Sequence, residues 1–276
     1  MHVLPGEESI VKAFRKWVYY LWSIVEMLVG FKNWPLVLRI FLLPEDKRVK
    51  ILKLRKSQVG LVVRGRMDVW SVKETFLDQF YTRYGTEVGE AWVVVDIGAA
   101  IGEFTVFAAL AARQGRVLAF EPFRESFKLL QENIKANELS NVKVYNEAVW
   151  GEAGLFTLDL SGREPLQAPI NLATSNNAHS HYSIQALTLK TILEDNKVDR
   201  LHLLKLDCEG VEYSILMQSP AEVMARVERI IMEFHDGFDG HVHEELEAFL
   251  EKQGFMVRVT PNMVHDEIGY LYAKKV

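Results

Sequence analysis

The sequence predicts an α/β fold in which a doubly wound, mostly parallel sheet follows an N-terminal helical extension. From about Ala91 onward, short apolar runs alternate with segments of helical period. The run Trp92–Asp96 is apolar and ends in an acid, as is typical of a central parallel strand. The last two apolar runs, Phe255–Thr260 and Ile268–Ala273, are expected to form an antiparallel pair. The chain has 276 residues, of which 49% are hydrophobic, and this is enough to form the hydrophobic core of a large α/β domain.

Strands and helices are predicted to alternate along most of the main domain. The other predicted strands are Val117–Phe120, Val142–Tyr145, Leu201–Leu206 and Val227–Phe234. The first predicted helix is Phe104–Arg113, which ends before Gly115. The second has an apolar face formed by Phe123, Phe127, Leu130 and Ile134. Three further helices are predicted at Leu189–Glu194, Val211–Met217 and Glu244–Lys252. The polar stretch Ser161–Ser183 is either a lid or a surface loop. This alternation predicts a Rossmann-like sheet with an antiparallel C-terminal strand.

We place a domain boundary near residue 89, with a helical and mixed cap before it (residues 1–89) and the main domain after it (residues 90–276). Two helices are predicted up to Pro44, joined near Asn33. Short strands are expected within Val59–Met67, and Asp68 is the expected N-cap of a helix through Phe80.

The stretch Trp17–Val29 is strongly apolar, but Glu26 interrupts it. It is shorter than the roughly twenty residues that span a bilayer, and no cleavable signal precedes it. A buried or capping helix is favoured, and a helix on a membrane surface is the alternative. Peripheral membrane contact through the N-terminal helices therefore stays open.

The charge balance and the single cysteine narrow the class of protein. A formal net charge of −5 argues against broad nucleic-acid binding. Cys208 has no internal partner, which indicates a reducing, cytoplasmic compartment. No Cys/His cluster has zinc spacing. The oligomeric state is not indicated.

The turn after the first central strand has the features of a nucleotide-binding turn. Gly98 permits a tight turn, Ala99 and Ala100 let a ligand approach the backbone, and Gly102 opens a helix whose free N–H groups favour an anionic group. A dinucleotide fingerprint needs glycine where Ala100 and Glu103 stand, and Glu103 would repel a diphosphate. The turn therefore favours S-adenosylmethionine over NAD, with a carboxylate of the methionine end at the helix.

The acid Glu121 lies at the end of the next strand. Its distance along the sequence from Asp96 is typical of a carboxylate that accepts hydrogen bonds from ribose hydroxyls. A helix-capping role is the alternative for Glu121. Pro122 stiffens the turn after it, and Asn146–Val149 follows the third strand where an adenine edge would lie. The predicted cofactor-binding residues are Asp96, Gly98, Ala99, Ala100, Gly102, Thr105, Glu121, Pro122, Asn146, Ala148 and Asp207.

Two further strands carry polar residues toward the same edge of the sheet. Because side chains alternate along a strand, Lys205 and Asp207 share one direction, and Glu209 shares it if the extended backbone continues; Glu233 and His235 also share one direction. An internal Lys205–Glu233 ion pair, with Asp207 or Glu209 as a helix cap, is one interpretation. In the other, His235 is the general base, Asp207 is the second candidate, and Lys205 and Glu233 complete the catalytic set. We assign no metal ligands, although a divalent ion held by Asp207, Glu233 and His235 remains open.

The ordered motifs resemble those of the FkbM-type methyltransferases. They are VVDIGAAIGEFTVFAALA, AFEPFRESFKLLQENIKANEL, NEAVWGEAG, TLKTIL, LLKLDCEGVEYSIL and IIMEFH, with RMDVWSVKETF upstream as an entry segment. The resemblance implies S-adenosylmethionine as methyl donor and O-methylation, often of sugars in glycolipid, polysaccharide or secondary-metabolite pathways. By this match Asp96, Gly98, Gly102 and Glu121 would line the cofactor, and Asp207, Glu209, Glu233 and His235 the reaction crevice. The chain departs from the pattern at Ala100, where the family often has asparagine, and Leu4–Leu43 has no counterpart.

The expected reaction is therefore an in-line methyl transfer to a hydroxyl of a small-molecule or glycan acceptor, assisted by a base. An NAD-linked oxidoreductase and a non-catalytic nucleotide-binding module are the alternatives from other classes.

Overall fold

The computed structural model describes residues 5–44, 48–83, 87–159, 181–262 and 264–276. Its N-terminal part consists of two helices, two short antiparallel strands and a third helix that continues into a π-helical turn. These elements are α1 (Pro5–Gly30), α2 (Trp34–Leu42), β1 (Lys50–Lys53), β2 (Gly60–Val63), α3 (Arg66–Lys73) and the π-helical turn (Glu74–Asp78). The junction predicted near Asn33 is confirmed, whereas β1 was not predicted.

Asp68 is not the N-cap of the third helix, so this prediction was wrong. The helix α3 begins at Arg66, after Gly65 in an extended conformation, and Asp68 lies in its first turn. The Asp68 carboxylate accepts hydrogen bonds from the backbone N–H of Arg64 at 2.7 Å and from its guanidinium group at 2.9 and 3.0 Å. Asp68 therefore fastens the end of β2 to α3, because a charged bidentate pair is stronger than a neutral cap bond.

The main domain contains a seven-stranded sheet and a separate three-stranded sheet. In chain order its elements are β3 (Val93–Ile97), α4 (Glu103–Ala111), β4 (Arg116–Phe120), α5 (Arg124–Ala136), β5 (Val142–Tyr145), β6 (Ala148–Val149), β7 (Gly154–Asp159), β8 (His181–Leu187), α6 (Leu189–Asp195), β9 (Leu203–Leu206), α7 (Glu212–Met217), α8 (Ala221–Met224), β10 (Arg229–His235), α9 (His243–Lys252), β11 (Phe255–Pro261) and β12 (Ile268–Lys275), with a 3₁₀ turn at Phe238–Gly240. Each strand and helix predicted in this domain is present, with its ends shifted by a few residues at most.

The large sheet has the order β11-β12-β10-β9-β3-β4-β5. The neighbours from β10 to β5 pair in parallel, and β12 pairs antiparallel with both β10 and β11. The predicted mostly parallel sheet with an antiparallel C-terminal strand is confirmed. The small sheet, β6-β8-β7, was not predicted. Residues 161–180 of the segment for which a lid or a loop was expected lie outside the described residues, and residues 181–183 begin β8.

The N-terminal part shares a hydrophobic core with the main domain. Leu61, Val63 and Val69 pack in one buried cluster with Ile101 and Leu129. The side-chain amide of Asn133, on α5, also forms two hydrogen bonds with the backbone of Val62. It accepts one from the Val62 N–H at 2.6 Å and donates one to the Val62 carbonyl at 3.1 Å. The domain boundary near residue 89 stays a prediction, and the packing across it is extensive.

One face of α1 packs inward and the other is open. Met27 is buried, while Trp17, Leu21 and Trp22 are more than half exposed. The buried Lys73 anchors the helix, because its ammonium lies 3.3 Å from Glu26 and 2.5 Å from Asp78. Among the residues described, no helix is both long enough and apolar enough to cross a bilayer.

Candidate active site

A cleft opens where the direction of the sheet connections reverses. The strand β3 lies between β4 and β9, so the chain leaves it toward one side and returns on the other. Ligands bind at the carboxyl ends of the strands at such a switch point. The cleft has a volume of about 960 Å³ including its open side. Six acids line it, and no lysine, arginine or histidine stands among its described lining residues; the acids are Glu103, Glu121, Glu147, Asp207, Glu209 and Glu233.

The turn after β3 depends on two glycines. Gly98 has a φ of +75°, and a Cβ there would lie 1.8 Å from the carbonyl oxygen of Asp207. Gly102 has a φ of +88°, and a Cβ there would lie 2.4 Å from Leu130. Ala100, between them, has a φ of +47°. A left-handed conformation costs a residue with a Cβ about 1–2 kcal/mol, and Asn tolerates it better. The left-handed backbone therefore favours the asparagine that FkbM-type sequences often have at this position, and nothing in the structure explains the alanine of this chain.

Glu121 joins the turn after β3 to the turn after β4. Its Oε2 accepts the backbone N–H of Ala100 and its Oε1 that of Phe123, each at 2.8 Å. Its side chain is almost fully buried. Burial raises the pKa of Glu121 to about 8, although these two backbone bonds oppose the rise. A carboxylate has about four acceptor positions, so two remain for a ligand in the cleft.

Asp96 lies beneath the cleft and does not line it. It is fully buried, its Oδ2 accepts a hydrogen bond from Thr105 at 2.5 Å, and its Oδ1 lies 3.1 Å from the Lys205 ammonium. Lys205 also donates to the carbonyl of Gly98 at 2.9 Å. Direct contact of Asp96 and Thr105 with a cofactor stays a prediction, and the burial of both side chains does not favour it. Both residues, with Lys205, support the turn from below.

The expected Lys205–Glu233 ion pair is not formed. The register of β3 and β9 places Asp96 directly opposite Lys205, so Asp96 is the nearer partner. Burial would lower the pKa of Lys205, but Asp96, Asp207 and Glu103 together raise it, and Lys205 stays charged. Lys205 is almost fully buried and supports the turn after β3, and its place in the catalytic set stays a prediction.

Asp207 and Glu233 form the polar end of the cleft opposite Glu121. Asp207 accepts a hydrogen bond from the Tyr81 hydroxyl at 2.6 Å and lies 3.8 Å from the Lys205 ammonium. No residue within the described ranges donates a hydrogen bond to Glu233. Burial and then the charges of Asp207 and Glu74 raise the pKa of Glu233 well above its usual value. Neither Asp207 nor Glu209 caps α7, because Val211 precedes that helix and no side chain caps it.

His235, the first candidate for the general base, lies between two glutamates. Its Nδ1 lies 3.3 Å from Glu212 and its Nε2 3.7 Å from Glu209. Burial lowers the pKa of His235, but Glu212, Glu233 and Glu209 together raise it to about 10. A pKa in this range favours the protonated imidazole near neutrality, which is unfavourable for a general base. It also lies outside the lining of the cleft.

The remaining predicted cofactor residues divide into two groups. Gly98, Ala100, Pro122 and Asp207 line the cleft with Glu121. Ala99, Gly102, Asn146 and Ala148 do not. Ala99 and Ala148 are buried in the hydrophobic core, and Asn146 donates to the carbonyls of Glu121 and Pro122, both at 2.9 Å. For these four residues direct contact with a cofactor stays a prediction, and the contacts seen are with the surrounding turns and core.

Glu103 and Tyr81 belong to the site but were not assigned to it. Glu103 accepts a hydrogen bond from Ser71 at 2.6 Å through Oε1, while its buried Oε2 has no partner within the described part of the chain. Burial raises the pKa of Glu103 to about 7. Its place directly after Gly102 could have indicated this role. Tyr81 could not have been found from sequence, since it lies 126 positions from its partner Asp207.

Asp207, Glu233 and His235 also lie close enough together to bind a cation. One ligand atom from each lies within 4.8 Å of the others. This is the set for which the sequence left a divalent ion open, and two carboxylates with an imidazole suit several divalent metals.

Comparison with known proteins identifies the family. The model described as "Methyltransferase FkbM domain" matches residues 96–257, more than half of the chain. The 31-O-demethyl-FK506 methyltransferase FkbM of Streptomyces tacrolimicus is 27% identical over 212 residues, which cover 67% of this chain and 80% of that protein. Methyltransferase 1 of Beauveria bassiana is 24% identical over 204 residues and covers 68% of this chain and 80% of that protein.

Two other similarities cover a smaller share of the matched protein. The AMB antimetabolite synthetase AmbE of Pseudomonas aeruginosa is 25% identical over 256 residues, 79% of this chain, but the chain spans only 11% of that synthetase. The crystal structure of methyltransferase FkbM from Methylobacillus flagellatus KT superposes with a TM-score of 0.50 at 17% identity, over 71% of this chain and 47% of that one. This likeness shows a shared fold. From the family match and the relatives together, the chain belongs to the FkbM methyltransferase family.

Proposed function

We propose that the protein transfers a methyl group from S-adenosylmethionine to a hydroxyl oxygen, and that the acceptor is a sugar or glycoconjugate. The observation that carries the proposal is the acid-rich cleft at the switch point, with Glu121 held between two turns and Glu233 at the opposite end. S-adenosylmethionine carries a sulfonium and an ammonium group, and a cleft lined by six acidic residues favours it, because nearby positive charge lowers the pKa of these acids and stabilises their ionised forms. A diphosphate such as that of NAD would add two negative charges to the same cleft.

The residues of the cleft fit the three parts of this cofactor. The free acceptor positions of Glu121 suit ribose hydroxyls. Val149 and Phe123 offer apolar contacts for an adenine ring, beside Glu147 as an acceptor for its amino group. The unpartnered Oε2 of Glu103 suits the ammonium of the methionine end.

When bound, the cofactor would supply a methyl group that is already activated by the positive sulfonium. The protein then has to orient the acceptor hydroxyl and remove its proton. Glu233 is the proton acceptor in this proposal, because it lines the cleft, accepts no other hydrogen bond from the described residues and has a raised pKa. Asp207 is held by Tyr81 and by Lys205, and so orients the hydroxyl. The charged His235 stabilises the ionised form of Glu233.

The oxygen acceptor is supported by the name of the Streptomyces relative, which refers to O-demethyl-FK506 as its substrate. The sugar or glycoconjugate is supported by the resemblance to FkbM-type sequences alone. A divalent ion at Asp207, Glu233 and His235 is an alternative means of activating the hydroxyl, since a bound metal lowers the pKa of a ligating oxygen.

Calorimetric titration with S-adenosylmethionine, S-adenosylhomocysteine and NAD⁺ tests the cofactor. We expect binding of the first two and none of NAD⁺. Glu121→Gln should weaken binding at least tenfold, because it exchanges a carboxylate for an amide at the ribose hydroxyls. Glu125→Gln is the matched control, since Glu125 is exposed and lies outside the cleft. Binding of NAD⁺ in preference, or equal binding by both variants, would overturn the assignment.

Catalysis is tested separately by transfer of a labelled methyl group to candidate hydroxyl acceptors, with the product identified by mass. We expect a product that is heavier by one methylene unit and carries the label on oxygen. Cofactor binding with no transfer to any acceptor would favour the non-catalytic alternative.

A further inference from the structure

A second, larger cavity lies beside the cleft, between the N-terminal helices and the C-terminal hairpin. We call it the apolar groove. Its volume is about 2060 Å³ including its open side. Its walls are mainly aromatic and aliphatic; they include Tyr20, Leu28, Leu38, Phe41, Trp70 and Phe80. Binding sites for small ligands usually measure about 300–1,000 Å³, so the groove has room for a long apolar group.

The apolar groove meets the cleft at its inner end. Met67, on α3, lines both cavities. Tyr270 lines the groove and is the register partner of Glu233 between β12 and β10. Side chains of partners in such a pair stand about 5 Å apart on the same face of the sheet. Glu74 also lines the groove, and it interacts electrostatically with Asp207 and Glu233. One end of the groove is therefore next to the proposed proton acceptor.

The other end is open, and apolar side chains continue from it onto the surface. Leu42 lines the groove and is 76% exposed, and Ile24 lines it and is 44% exposed. On α1, further exposed apolar residues follow, among them Trp17, Leu21 and Trp22. A contiguous apolar surface of this kind on a protein marks a site that contacts apolar partners.

We propose that the apolar groove binds the hydrocarbon chain of an amphiphilic acceptor, whose polar head group presents its hydroxyl at Glu233. The position of the head group rests on the proposed function, whereas binding of the chain does not. A sugar alone would use the acidic cleft and leave this groove without a ligand. A molecule with a polar head and an apolar tail matches both cavities and the junction between them.

The test uses the full-length protein and a series of alkyl glucosides with ethyl, octyl and dodecyl chains, kept below the concentration at which they form micelles. Binding is followed by calorimetry and by the fluorescence of the protein, since Trp70 lies in the groove wall. Burial of a methylene contributes about 0.8 kcal/mol, so affinity should rise about fourfold for each methylene that enters the groove. Equal affinity for ethyl and dodecyl glucoside would overturn the proposal.

Two neighbouring substitutions provide the specific and the control variant. Ile24→Glu places a charge on the groove wall, and Val25→Glu places the same charge one residue away, outside the groove. The two side chains are about equally exposed, at 44% and 48%, so both variants should fold. We expect Ile24→Glu to weaken dodecyl glucoside binding at least tenfold and Val25→Glu to leave it within twofold. Equal effects, or a change of oligomeric state on Ile24→Glu without any alkyl glucoside binding, would show that the groove has another occupant.

Failure of this inference can be told apart from failure of the proposed function. If the dodecyl chain binds but S-adenosylmethionine does not, the groove assignment stands and the proposed cofactor is wrong. If S-adenosylmethionine binds and the alkyl series shows no dependence on chain length, the proposed cofactor stands and the inference about the acceptor is wrong.

Discussion

The hydroxyl of Tyr81 donates a 2.6 Å hydrogen bond to the carboxylate of Asp207, which joins the N-terminal part of the chain to the end of β9. The ring of Tyr81 packs edge-on against Phe104, with 5.2 Å between the ring centroids, and this contact fixes its direction. Because Asp207 lines the cleft, the N-terminal part supplies a group to the site and does more than cover it.

Tyr81→Phe removes the hydroxyl and keeps the ring. We expect turnover to fall about tenfold, because a hydrogen bond to a charged group contributes about 1.5–3 kcal/mol and only part of this acts on the transition state. S-adenosylmethionine affinity should stay within twofold, since Tyr81 does not line the cleft. Steady-state kinetics and calorimetry on the same preparation measure both quantities. Tyr272→Phe is the control, and an equal loss in both variants would mean that the effect is not specific to Asp207.

The strands and the turn at Gly98 could be predicted because their signals are local. Short, mainly apolar segments define β3, β4, β5 and β9, and the alternation of side chains along a strand gives the shared direction of Lys205 and Asp207. Glycine is required at two positions of the turn because the backbone there has positive φ angles, which other residues rarely adopt. These features need no knowledge of distant residues.

The ion pairs and the charge of His235 could not be predicted, because they depend on packing between distant segments. The sequence suggested Glu233 as the ion-pair partner of Lys205. Only the pairing of β3 with β9 shows that Asp96 lies opposite Lys205. His235 has the usual pKa of an imidazole until Glu212, on a helix that precedes its strand, is packed against it. Alternation along β10 gives the direction of His235 but not its neighbours.

Glu233→Gln tests the proton acceptor. We expect turnover to fall at least about a hundredfold, the usual contribution of a general base, with S-adenosylmethionine affinity little changed. His235→Gln should have a smaller effect, since a protonated imidazole acts on Glu233 only through its charge. Single-turnover methyl transfer measures both variants. A larger loss in His235→Gln than in Glu233→Gln would restore the histidine to the role of base.

The pH dependence of turnover follows from the same assignment. Glu233 must lose its proton to act, and its pKa is raised by burial and by Asp207. Turnover should therefore increase as the pH rises through that pKa, above the range of an ordinary glutamate. The pH profile of the residual activity of Glu233→Gln should lack this rise. A wild-type rate that does not change between pH 5 and pH 9 would contradict the assignment.

The stability of the ligand-free protein should fall as the pH rises from about 5 to 8.5. Burial raises the pKa of Glu74 to about 8, of Glu103 to about 7 and of Glu121 to about 8. Between the unfolded value of 4.5 and these values the folded state binds more protons than the unfolded state. The free energy of unfolding therefore decreases with increasing pH. His235, with its pKa raised to about 10, contributes in the same direction above pH 6.5.

Urea unfolding midpoints at pH 5.5, 7 and 8.5 measure this trend. Glu103→Gln should make it less steep, because one of the titrating groups is removed. Glu125→Gln serves as the exposed control. A midpoint that increases over this range would show that the buried acids are ionised in the folded protein.

Removal of metal distinguishes the two means of activating the acceptor. With Glu233 as proton acceptor, we expect dialysis against EDTA to leave turnover within twofold. Added Mg²⁺ or Mn²⁺ should then have no effect on the chelated protein. A loss on chelation that Mn²⁺ reverses would assign Asp207, Glu233 and His235 to a cation, since their ligand atoms already lie within 4.8 Å of one another.

Ala100→Gly should stabilise the protein by up to about 1.5 kcal/mol. Glycine removes the 1–2 kcal/mol cost of the left-handed conformation at this position, while its greater freedom in the unfolded chain offsets about 0.5–1 kcal/mol of the gain. The backbone N–H that donates to Glu121 is kept, so S-adenosylmethionine affinity should not fall. Ala248→Gly, at an exposed position inside α9, has no such strain to release and should destabilise by about 1 kcal/mol. Urea unfolding of both variants gives the comparison, and a loss of stability of similar size in each would mean that the turn at Ala100 is not strained.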